Sequence, residues 1–588
     1  MQTKTNVRFG FIVLLVSSIW LTNLGGWDLW NPDEPRYAQA SREMMENGSY
    51  VLPQVNGRPY SDKPPLFFWL IILVSQPFGD VTAYSARLPS ALAGLGLMLL
   101  TYLFGKKLYD RQTGFLAAVI LCTSKEIFTT AISVHFDVIL AFLITLSLYL
   151  FYCGYKEPKK KFFLTASYVC MGLAVLTKGP VGMVVPLLVI IVFLLANREG
   201  RGVSSIHLGK GICIIVGMVL VWLVPACILG GESYSNDILL QQTFGRIINS
   251  YSHKKPFYYY LYNFPLDFFP WSLFIPAAGV YFVKNREQYR LLRFPLAWFA
   301  GVFVFFTLMS CKRTLYLIPL YPAAALLTAR FWTGYARMED KGSVPLQAKT
   351  FRVSLYVLFG LFVAAGFAGT AAFVRDFSII RPFQSIRWSV YPALSLSMLC
   401  GITGCIFVVM KKKARWSFTT IAVTMIVLSA LIVFDVYPAF NRFKSARPFC
   451  RRIQKVVGRH DTLVATFEPK LFNYFLNRYP INRIEAATSL EPLLRSGEKI
   501  YILMKERHYK KASGDIKDLI NIVDRGAIGH KTYFLITRKA RENIRQQSIP
   551  TKRSVKARAT KGPSVIPEIR EKYTLTKNKL FPRLCKML

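Results

Sequence analysis

The sequence is poor in acidic residues and in histidine. It contains 32 Asp and Glu against 74 Lys and Arg, with only six His, so its formal net charge is +42 at pH 7. An excess of this size implies a nucleic acid, an anionic membrane surface or an anionic substrate as partner. In a chain that crosses a membrane, the lipid surface is the default explanation.

The cysteines form no motif for metal binding or redox chemistry. The ten cysteines lie mainly in apolar runs, and none forms a CxxC pair or has a histidine at zinc spacing. We interpret them as small buried apolar residues. A zinc ribbon and a thioredoxin-like function are therefore excluded.

Charge is nearly absent from a series of long apolar runs. The chain has 588 residues, is 53% hydrophobic and has a mean hydropathy of +0.33, which is too apolar for an average soluble protein. Runs near the length of a membrane span predict a polytopic α-helical membrane protein with about 13 transmembrane helices. They begin near Phe9, Ala86, Thr113, Val138, Phe162, Val181, Ile212, Leu266, Phe294, Leu315, Val353, Val390 and Phe418.

The Lys and Arg bias of short loops orients these helices. With the N-terminus inside, alternate connections carry the basic clusters, and the remaining connections lie outside. The outer connections include a loop at residues 26–85 and a long loop at 230–265, both within a transmembrane domain of residues 1–437. Chemistry, if present, is expected on the outer face.

The chain changes character after the last apolar run. From residue 438 to 540, polarity rises and the β-rich runs LVATF, KIYILM and TYFLIT alternate with helical patterns. This pattern predicts a small C-terminal α/β domain, which an odd number of spans places outside the cytoplasm. Residues 541–588 form a basic tail that we expect to lack fixed structure.

The first outer loop carries charges that topology does not explain. Asp33 and Glu34 follow a turn signal and precede a helical pattern that contains Arg36. One interpretation is an N-cap with a first-turn acid. The other is a catalytic base with an orienting partner. Spacing alone does not decide between them.

Other outer turns also carry unexplained polar residues. Asp62 and Lys63 precede Pro-Pro and a short aromatic segment, so Lys63 either snorkels or binds a lipid phosphate. Lys178 and Arg313 are cations on the side that the positive-inside rule disfavours, which indicates an anionic ligand. Two more residues have open interpretations: Asp137 as helix cap or functional acid, and His253 as surface histidine or metal ligand with Asp62.

Taken in order, these motifs resemble a known family. WNPDEPRYAQASREM, YSDKPPLFFWL, HFD, LTKGPVG, SHKKPFYYYL and SCKRTLYLIPLYP are similar to the lipid A aminoarabinose transferases. They also resemble the wider set of bacterial membrane glycosyltransferases related to protein O-mannosyltransferases. These enzymes share the type C glycosyltransferase fold, and the resemblance covers roughly Phe9 to Pro438.

The resemblance implies roles for individual residues. The essential acid of the family's first outer loop matches Asp33, and the lysine that binds the lipid-linked phosphate matches Lys63. The predicted catalytic residues are Asp33, Glu34 and Asp137, and the predicted donor phosphate-binding residues are Arg36, Lys63, Lys178, Arg313 and Tyr316. The family also places a metal where Asp62 and His253 fall, so a divalent cation, zinc or magnesium, is a further expectation.

The resemblance also implies an activity. We expect an inverting glycosyltransferase in the bacterial inner membrane that moves a sugar from a polyprenyl phosphate to an acceptor on the outer face, namely lipid A or lipopolysaccharide. A protein O-glycosyltransferase or another surface-glycan transferase is the alternative within the class. A flippase for lipid-linked sugars is the alternative from another class, but transporters usually carry ionisable groups at the midplane within repeated halves. No such repeat is evident in this sequence.

Overall fold

The chain folds into a bundle of apolar helices followed by a small mixed sheet. The computed structural model describes residues 2–157, 159–197, 206–240, 255–285, 289–340, 347–375, 384, 386–410, 414–485, 490–495 and 499–539. The predicted basic tail at 541–588 and the predicted ligand His253 lie outside these residues.

The first half of the chain alternates long apolar helices with one elaborate outer loop. The elements are α1 (Gln2–Thr22), α2 (Glu34–Glu46), β1 (Gln54–Val55), β2 (Arg58–Pro59), α3 (Leu66–Ser75), α4 (Ala83–Leu108), α5 (Arg111–Cys122), α6 (Lys125–Ala131), α7 (Phe136–Lys156), α8 (Phe162–Lys178), α9 (Val181–Ala196) and α10 (Leu208–Asn236).

The second half completes the bundle. Its helices are α11 (Tyr259–Asp267), α12 (Ile275–Lys284), α13 (Tyr289–Leu308), α14 (Tyr321–Asp340), α15 (Gln347–Val374), α16 (Arg387–Val409), α17 (Ala414–Leu431) and α18 (Tyr437–Lys444). A short 3₁₀ helix at Trp271–Phe274 precedes α12, and another at Thr314–Leu320 precedes α14.

The predicted polytopic helical architecture is confirmed. Among the described residues, eight helices are long and apolar enough to cross a membrane, and ten if each of two bent pairs is one span. In the first pair, the chain bends by 67° between α5 and α6. In the second, it bends by 111° between α11 and the segment Trp271–Lys284. The other predicted runs coincide with the shorter apolar helices Val7–Thr22, α8 and α9.

The first outer loop is built around α2, almost all of which is buried. A two-residue hairpin follows, and its turn residues Asn56 and Gly57 both have positive φ, which is why Asn-Gly suits this position. The carboxylate of Glu43, in α2, accepts hydrogen bonds from the backbone N–H groups of both turn residues at 2.7 and 2.8 Å. The hairpin is thereby fixed to the helix.

The C-terminal part is a five-stranded sheet covered by helices on both faces. Its elements are α19 (Arg447–Val456), β3 (Thr462–Ala465), α20 (Lys470–Leu476), β4 (Asn482–Arg483), α21 (Leu490–Arg495), β5 (Ile500–Lys505), α22 (Glu506–Lys511), α23 (Gly514–Asp518), β6 (Ile520–Ile528) and β7 (Lys531–Arg538). The strand order is β4-β3-β5-β7-β6, with β3 parallel to β4 and β5, and β7 antiparallel to β5 and β6. The runs LVATF, KIYILM and TYFLIT lie in or beside β3, β5 and β7.

Polar contacts dock this sheet onto the first outer loop. Asn56 exchanges two hydrogen bonds with the backbone of Ile481 at 2.7 and 2.9 Å, and it accepts a third from Asn473 at 2.8 Å. Arg42 of α2 donates to the carbonyl of Tyr474 at 3.0 Å. Segments that are far apart in sequence therefore form one assembly.

Candidate active site

The carboxylate of Asp33 is held between two guanidinium groups. It accepts hydrogen bonds from Arg36, in the first turn of α2, at 2.5 Å, and from Arg313 at 3.0 Å. Its side chain makes no capping hydrogen bond to α2, although it stands at the N-cap position. The geometry therefore favours a functional acid over the simple helix cap that the sequence left open.

The two arginines also set the ionisation of Asp33. Burial raises the pKa of this carboxyl group, but the charges of Arg36 and Arg313 outweigh burial and hold the pKa below its usual value. Asp33 is consequently ionised at neutral pH. A carboxylate with a lowered pKa is also a weaker base than an unperturbed one.

Glu34, the neighbour of Asp33, has a different environment. It is buried, and its two carboxylate oxygens accept hydrogen bonds from Arg87 at 2.8 and 2.9 Å. They also accept from the backbone N–H groups of Trp30 at 2.8 Å and Val134 at 3.0 Å. Four donors saturate the carboxylate, so its geometry is that of a structural ion pair.

Arg87 completes this structural unit. It is fully buried in α4, and the three N–H groups that do not reach Glu34 donate to the carbonyls of Leu24, Trp27 and Asp28 at 2.6 to 2.9 Å. All five donors of the guanidinium are therefore used. The start of the outer loop is fixed to the bundle by this one side chain.

A second group of site residues surrounds the ring of Phe136. The ammonium of Lys178 lies 5.5 Å from the centre of this ring and 4.3 Å from the centre of the Tyr316 ring, and it donates to Asp137. The ammonium of Lys63 lies 5.1 Å from the Phe136 ring centre. The structure thus brings together four residues that the sequence predicted at separate turns.

The backbone around Lys178 explains its position. α8 ends at Lys178, and Gly179 follows with φ of 88°, a conformation that favours glycine. A Cβ on Gly182 would lie 2.3 Å from the backbone of Ala174, so only glycine permits this close approach of α9 to α8. The TKGP turn therefore fixes the cation at the end of its helix.

Arg313 joins the two groups. It ion-pairs with Asp33 and lies three residues before Tyr316, whose ring contacts Lys178. Its backbone carbonyl accepts a hydrogen bond from the hydroxyl of Tyr260, in α11, at 3.1 Å. Five segments of the chain that the sequence places on the outer face consequently converge on one polar region.

The described residues do not form the predicted metal site. Asp62 lies 3.8 Å from the guanidinium of Arg36, and its expected partner His253 falls outside the described residues. Within the described part of the chain, no three His, Cys, Asp or Glu side chains are grouped as metal ligands would be. We therefore derive no step through a metal ion.

Several contributors were not found from the sequence. The hydroxyl of Tyr37 accepts a hydrogen bond from Arg36 at 3.0 Å, and the ring of Tyr60 lies 6.0 Å from the Arg36 guanidinium. The ammonium of Lys470, from the C-terminal part, lies 5.9 Å from that same ring. Aromatic residues next to the charged motifs were a usable signal for the two tyrosines, whereas nothing local marked Lys470.

The chain is similar to known proteins over much of its length. Residues 7–234 match the family model described as dolichyl-phosphate-mannose-protein mannosyltransferase. An uncharacterised protein of Aquifex aeolicus is 29% identical over 393 residues, which cover 65% of this chain and 77% of that protein. The undecaprenyl phosphate-alpha-4-amino-4-deoxy-L-arabinose arabinosyl transferase of Serratia proteamaculans is 26% identical over 467 residues, which cover 77% of this chain and 80% of the relative.

A solved structure has the same fold. The crystal structure of ArnT from Cupriavidus metallidurans bound to undecaprenyl phosphate superposes with a TM-score of 0.74 at 19% identity, covering 91% of this chain and 98% of that one. The chain therefore has the polytopic helical fold of the type C glycosyltransferases. The chain is similar to the aminoarabinose transferases, and residues 7–234 match the mannosyltransferase family model. The resemblance read from the outer-loop motifs is confirmed.

Proposed function

We propose that this protein transfers a sugar from an undecaprenyl phosphate-linked donor to lipid A at the outer face of the bacterial inner membrane. Relatives are named as transferases of 4-amino-4-deoxy-L-arabinose from undecaprenyl phosphate, which supports a donor of this class. The observation that carries the proposal is the ion pair of Asp33 with Arg36 and Arg313, adjacent to the ammonium groups of Lys63 and Lys178.

The cations stabilise the leaving group. The bond between the sugar C1 and the phosphate oxygen breaks, and the lipid phosphate changes from a monoanion to a dianion. Lys63 and Lys178 stabilise the additional charge, and Asp137 holds Lys178 in place. Loss of one such cation costs roughly 3 kcal/mol of transition-state stabilisation, or about a hundredfold in rate.

Asp33 acts on the acceptor. The acceptor oxygen attacks C1 from the face opposite the leaving phosphate, which inverts the anomeric centre. Because Arg36 and Arg313 lower the pKa of Asp33, this carboxylate is poorly suited to remove a proton from a neutral hydroxyl. The site suits an acceptor oxygen that is already anionic, such as a phosphate, and Asp33 then orients the two arginines around it.

We assign the remaining predicted catalytic residue a positioning role. Glu34 has four hydrogen-bond donors on its carboxylate, and Arg87 links it to the start of the outer loop. It holds α2, and therefore Asp33, in register with the bundle. Tyr316 supports Lys178 through its ring.

The finer topology forms part of the same proposal. Thirteen spans, counted as the eight long helices, the two bent pairs and three shorter apolar helices, leave the C-terminal sheet on the same side as the first outer loop. That side is the periplasm, in agreement with the basic inner loops. We keep the division into domains at residues 1–437, 438–540 and 541–588 that the sequence predicts.

The test compares cells with and without the gene, complemented with wild type or with Asp33→Asn. Mass spectra of lipid A, surface glycans and membrane proteins are recorded for each. We expect a pentose-sized addition on lipid A that disappears in the deletion and in Asp33→Asn. The same addition on protein would instead favour a protein O-glycosyltransferase, as the matched family model describes. An unchanged set of masses, with the lipid-linked sugar redistributed across the membrane, would establish a flippase and refute the proposal.

A further inference from the structure

The parallel strands of the C-terminal sheet end at a cluster of cations. The chain leaves β3 for β4 on one side and returns to β5 on the other, so the strand order reverses at β3. In open α/β sheets, ligands bind in the crevice that such a reversal creates at the carboxyl ends of the strands. The residues at or just after these ends, together with the start of β7, are Lys470, Arg483, Lys505, Arg507 and Lys531, here named the carboxyl-end cations.

Four of these positive charges, those of Lys505, Arg483, Arg507 and Lys531, act on one another. The ammonium of Lys505 lies 4.4 Å from the ring centre of Phe467. Burial lowers the pKa of Lys505, and the charges of Arg507, Lys531 and Arg483 lower it further, to about 8. Neighbouring positive charges destabilise one another, and a bound anion would relieve this repulsion.

The acids of this region already have partners. Glu468 pairs with Arg483 at 3.2 Å, and Glu506 pairs with Lys510 of its own helix at 3.0 Å. The region also contains a hydrogen bond between side chains, in which the hydroxyl of Thr466 lies 2.9 Å from the Nδ1 atom of His508. The crevice therefore offers net positive charge and hydrogen-bonding groups, the chemistry that a phosphate requires.

The crevice is connected to the candidate active site. Lys470 follows the loop after β3, and its ammonium lies 5.9 Å from the ring centre of Tyr60, near which the Arg36 guanidinium also lies, at 6.0 Å. The three hydrogen bonds of Asn56 fix the sheet against the outer loop. Lys470 and Arg36 thus lie against the same tyrosine ring, which links the loop after β3 to the surroundings of Asp33.

We propose that the carboxyl-end cations bind a phosphate of the acceptor, a phosphorylated glycolipid headgroup, and position it for reaction at Asp33. This inference rests on the proposed function, because it assigns the acceptor-binding part of the same enzyme. Lys470, Lys505 and Arg483 are the central contacts, since Lys505 and Arg483 end β5 and β4 and Lys470 follows β3. Arg507 and Lys531 increase the attraction from the rim.

The test measures binding and turnover with the full-length protein in phosphatidylcholine nanodiscs. The probe is bis-phosphorylated lipid A, and the variant is Lys505→Met with Arg483→Gln, which keeps the buried stem of the lysine. The matched control is Lys499→Ala, which removes a lysine just before the opposite end of β5, where it pairs with Asp461 at 3.3 Å. We expect the double variant to bind the probe roughly tenfold more weakly, with the control unchanged.

Kinetics separate docking from chemistry. The double variant should raise the KM for lipid A about tenfold, while kcat and the KM for the donor stay within a factor of two. Equal melting temperatures for wild type, control and variant exclude unfolding as the cause. Lys470→Gln, tested alone, should have the same kind of effect. Unchanged binding in both variants would overturn the inference.

Competing ligands identify the source of the phosphate. Lipid A stripped of phosphate should bind no more tightly to wild type than to the variant, and inorganic phosphate should compete only weakly. If phosphatidylglycerol vesicles compete as well as lipid A, the crevice binds lipid surfaces and the inference is refuted. Failure of the proposed function would appear differently, as absence of sugar transfer by wild type with the binding difference still measurable.

Discussion

At the scale of single residues, two adjacent acids have separate roles. Asp33 and Glu34 are indistinguishable in sequence, since both follow the same turn and precede the same helix. They differ in the arginine that each contacts. Asp33 pairs with Arg313, 280 positions away, and Glu34 pairs with Arg87, 53 positions away. The sequence could identify the pair as a candidate site, but not assign the roles, because those depend on contacts between distant segments.

Substitution of the two acids should give opposite phenotypes. Asp33→Asn should reduce kcat by at least a hundredfold with little change in melting temperature, since it removes the charge between Arg36 and Arg313. Glu34→Gln should destabilise the protein by about 3–5 kcal/mol, because it leaves the buried Arg87 without its counter-ion. Melting curves in detergent, combined with activity per folded molecule, check both. A fully stable but inactive Glu34→Gln would instead show that Glu34 has a direct role in catalysis.

The pH dependence should depend on Arg313. In wild type, Asp33 stays ionised at pH values below its ordinary pKa, because the charges of Arg36 and Arg313 outweigh the effect of burial. Activity that requires the carboxylate is therefore retained above that lowered pKa and lost as pH falls through it. Arg313→Gln removes one of the two charges, so the acid limb of the kcat/KM profile should move to higher pH. An acid limb that stays at the same pH in this variant would show that Asp33 does not control it.

At the scale of elements, helices were easier to predict than their interruptions. The apolar runs predicted the spans because about 20 apolar residues suffice to cross a bilayer. The 67° bend between α5 and α6 had no proline or glycine to mark it. It occurs where the hydroxyls of Thr123 and Ser124 bond to carbonyls one turn earlier, at 2.5 and 2.7 Å, and the indole N–H of Trp271 donates to Thr123 at 2.9 Å. These hydroxyls compete with backbone N–H groups for the helix carbonyls. Whether they bend the helix depends on tertiary contacts such as that of Trp271, which the local sequence does not reveal.

The hairpin tip should control docking of the C-terminal sheet. Asn56→Gly preserves the positive φ of 62° but deletes the three side-chain hydrogen bonds to Ile481 and Asn473. We expect faster hydrogen exchange in α2 and α20 and a loss of about 2–3 kcal/mol of stability. Ser49→Ala is the control, because the hydroxyl of Ser49 bonds to the carbonyl of Leu52 within the outer loop. Identical exchange in wild type and Asn56→Gly would mean that the apolar contacts alone hold the two parts together.

At the scale of the whole molecule, charge asymmetry predicts orientation. The Lys and Arg clusters predicted which loops lie inside, and the candidate site residues fall on the opposite set of connections. With Cys213, Cys227, Cys311, Cys405 and Cys585 changed to Ser, Asn47→Cys in the first outer loop should react with a membrane-impermeant maleimide in intact spheroplasts. Lys159→Cys, exposed in a basic connection, should react only after permeabilisation. The reverse labelling pattern would invert the topology and move the site to the cytoplasm.

The docking of Asn56 against Ile481 also has a consequence in time. These residues are 425 positions apart, and ribosomes add about 5–20 residues per second, so the hairpin waits roughly 20 to 85 s for its partner to be synthesised. During that interval Glu43, only 13 residues away, is the contact that can already hold the turn. The hairpin of the first outer loop therefore lacks its contact with the C-terminal sheet until residue 481 has been synthesised. A nascent chain that stops before the C-terminal sheet should be a membrane protein with an incomplete and inactive outer face.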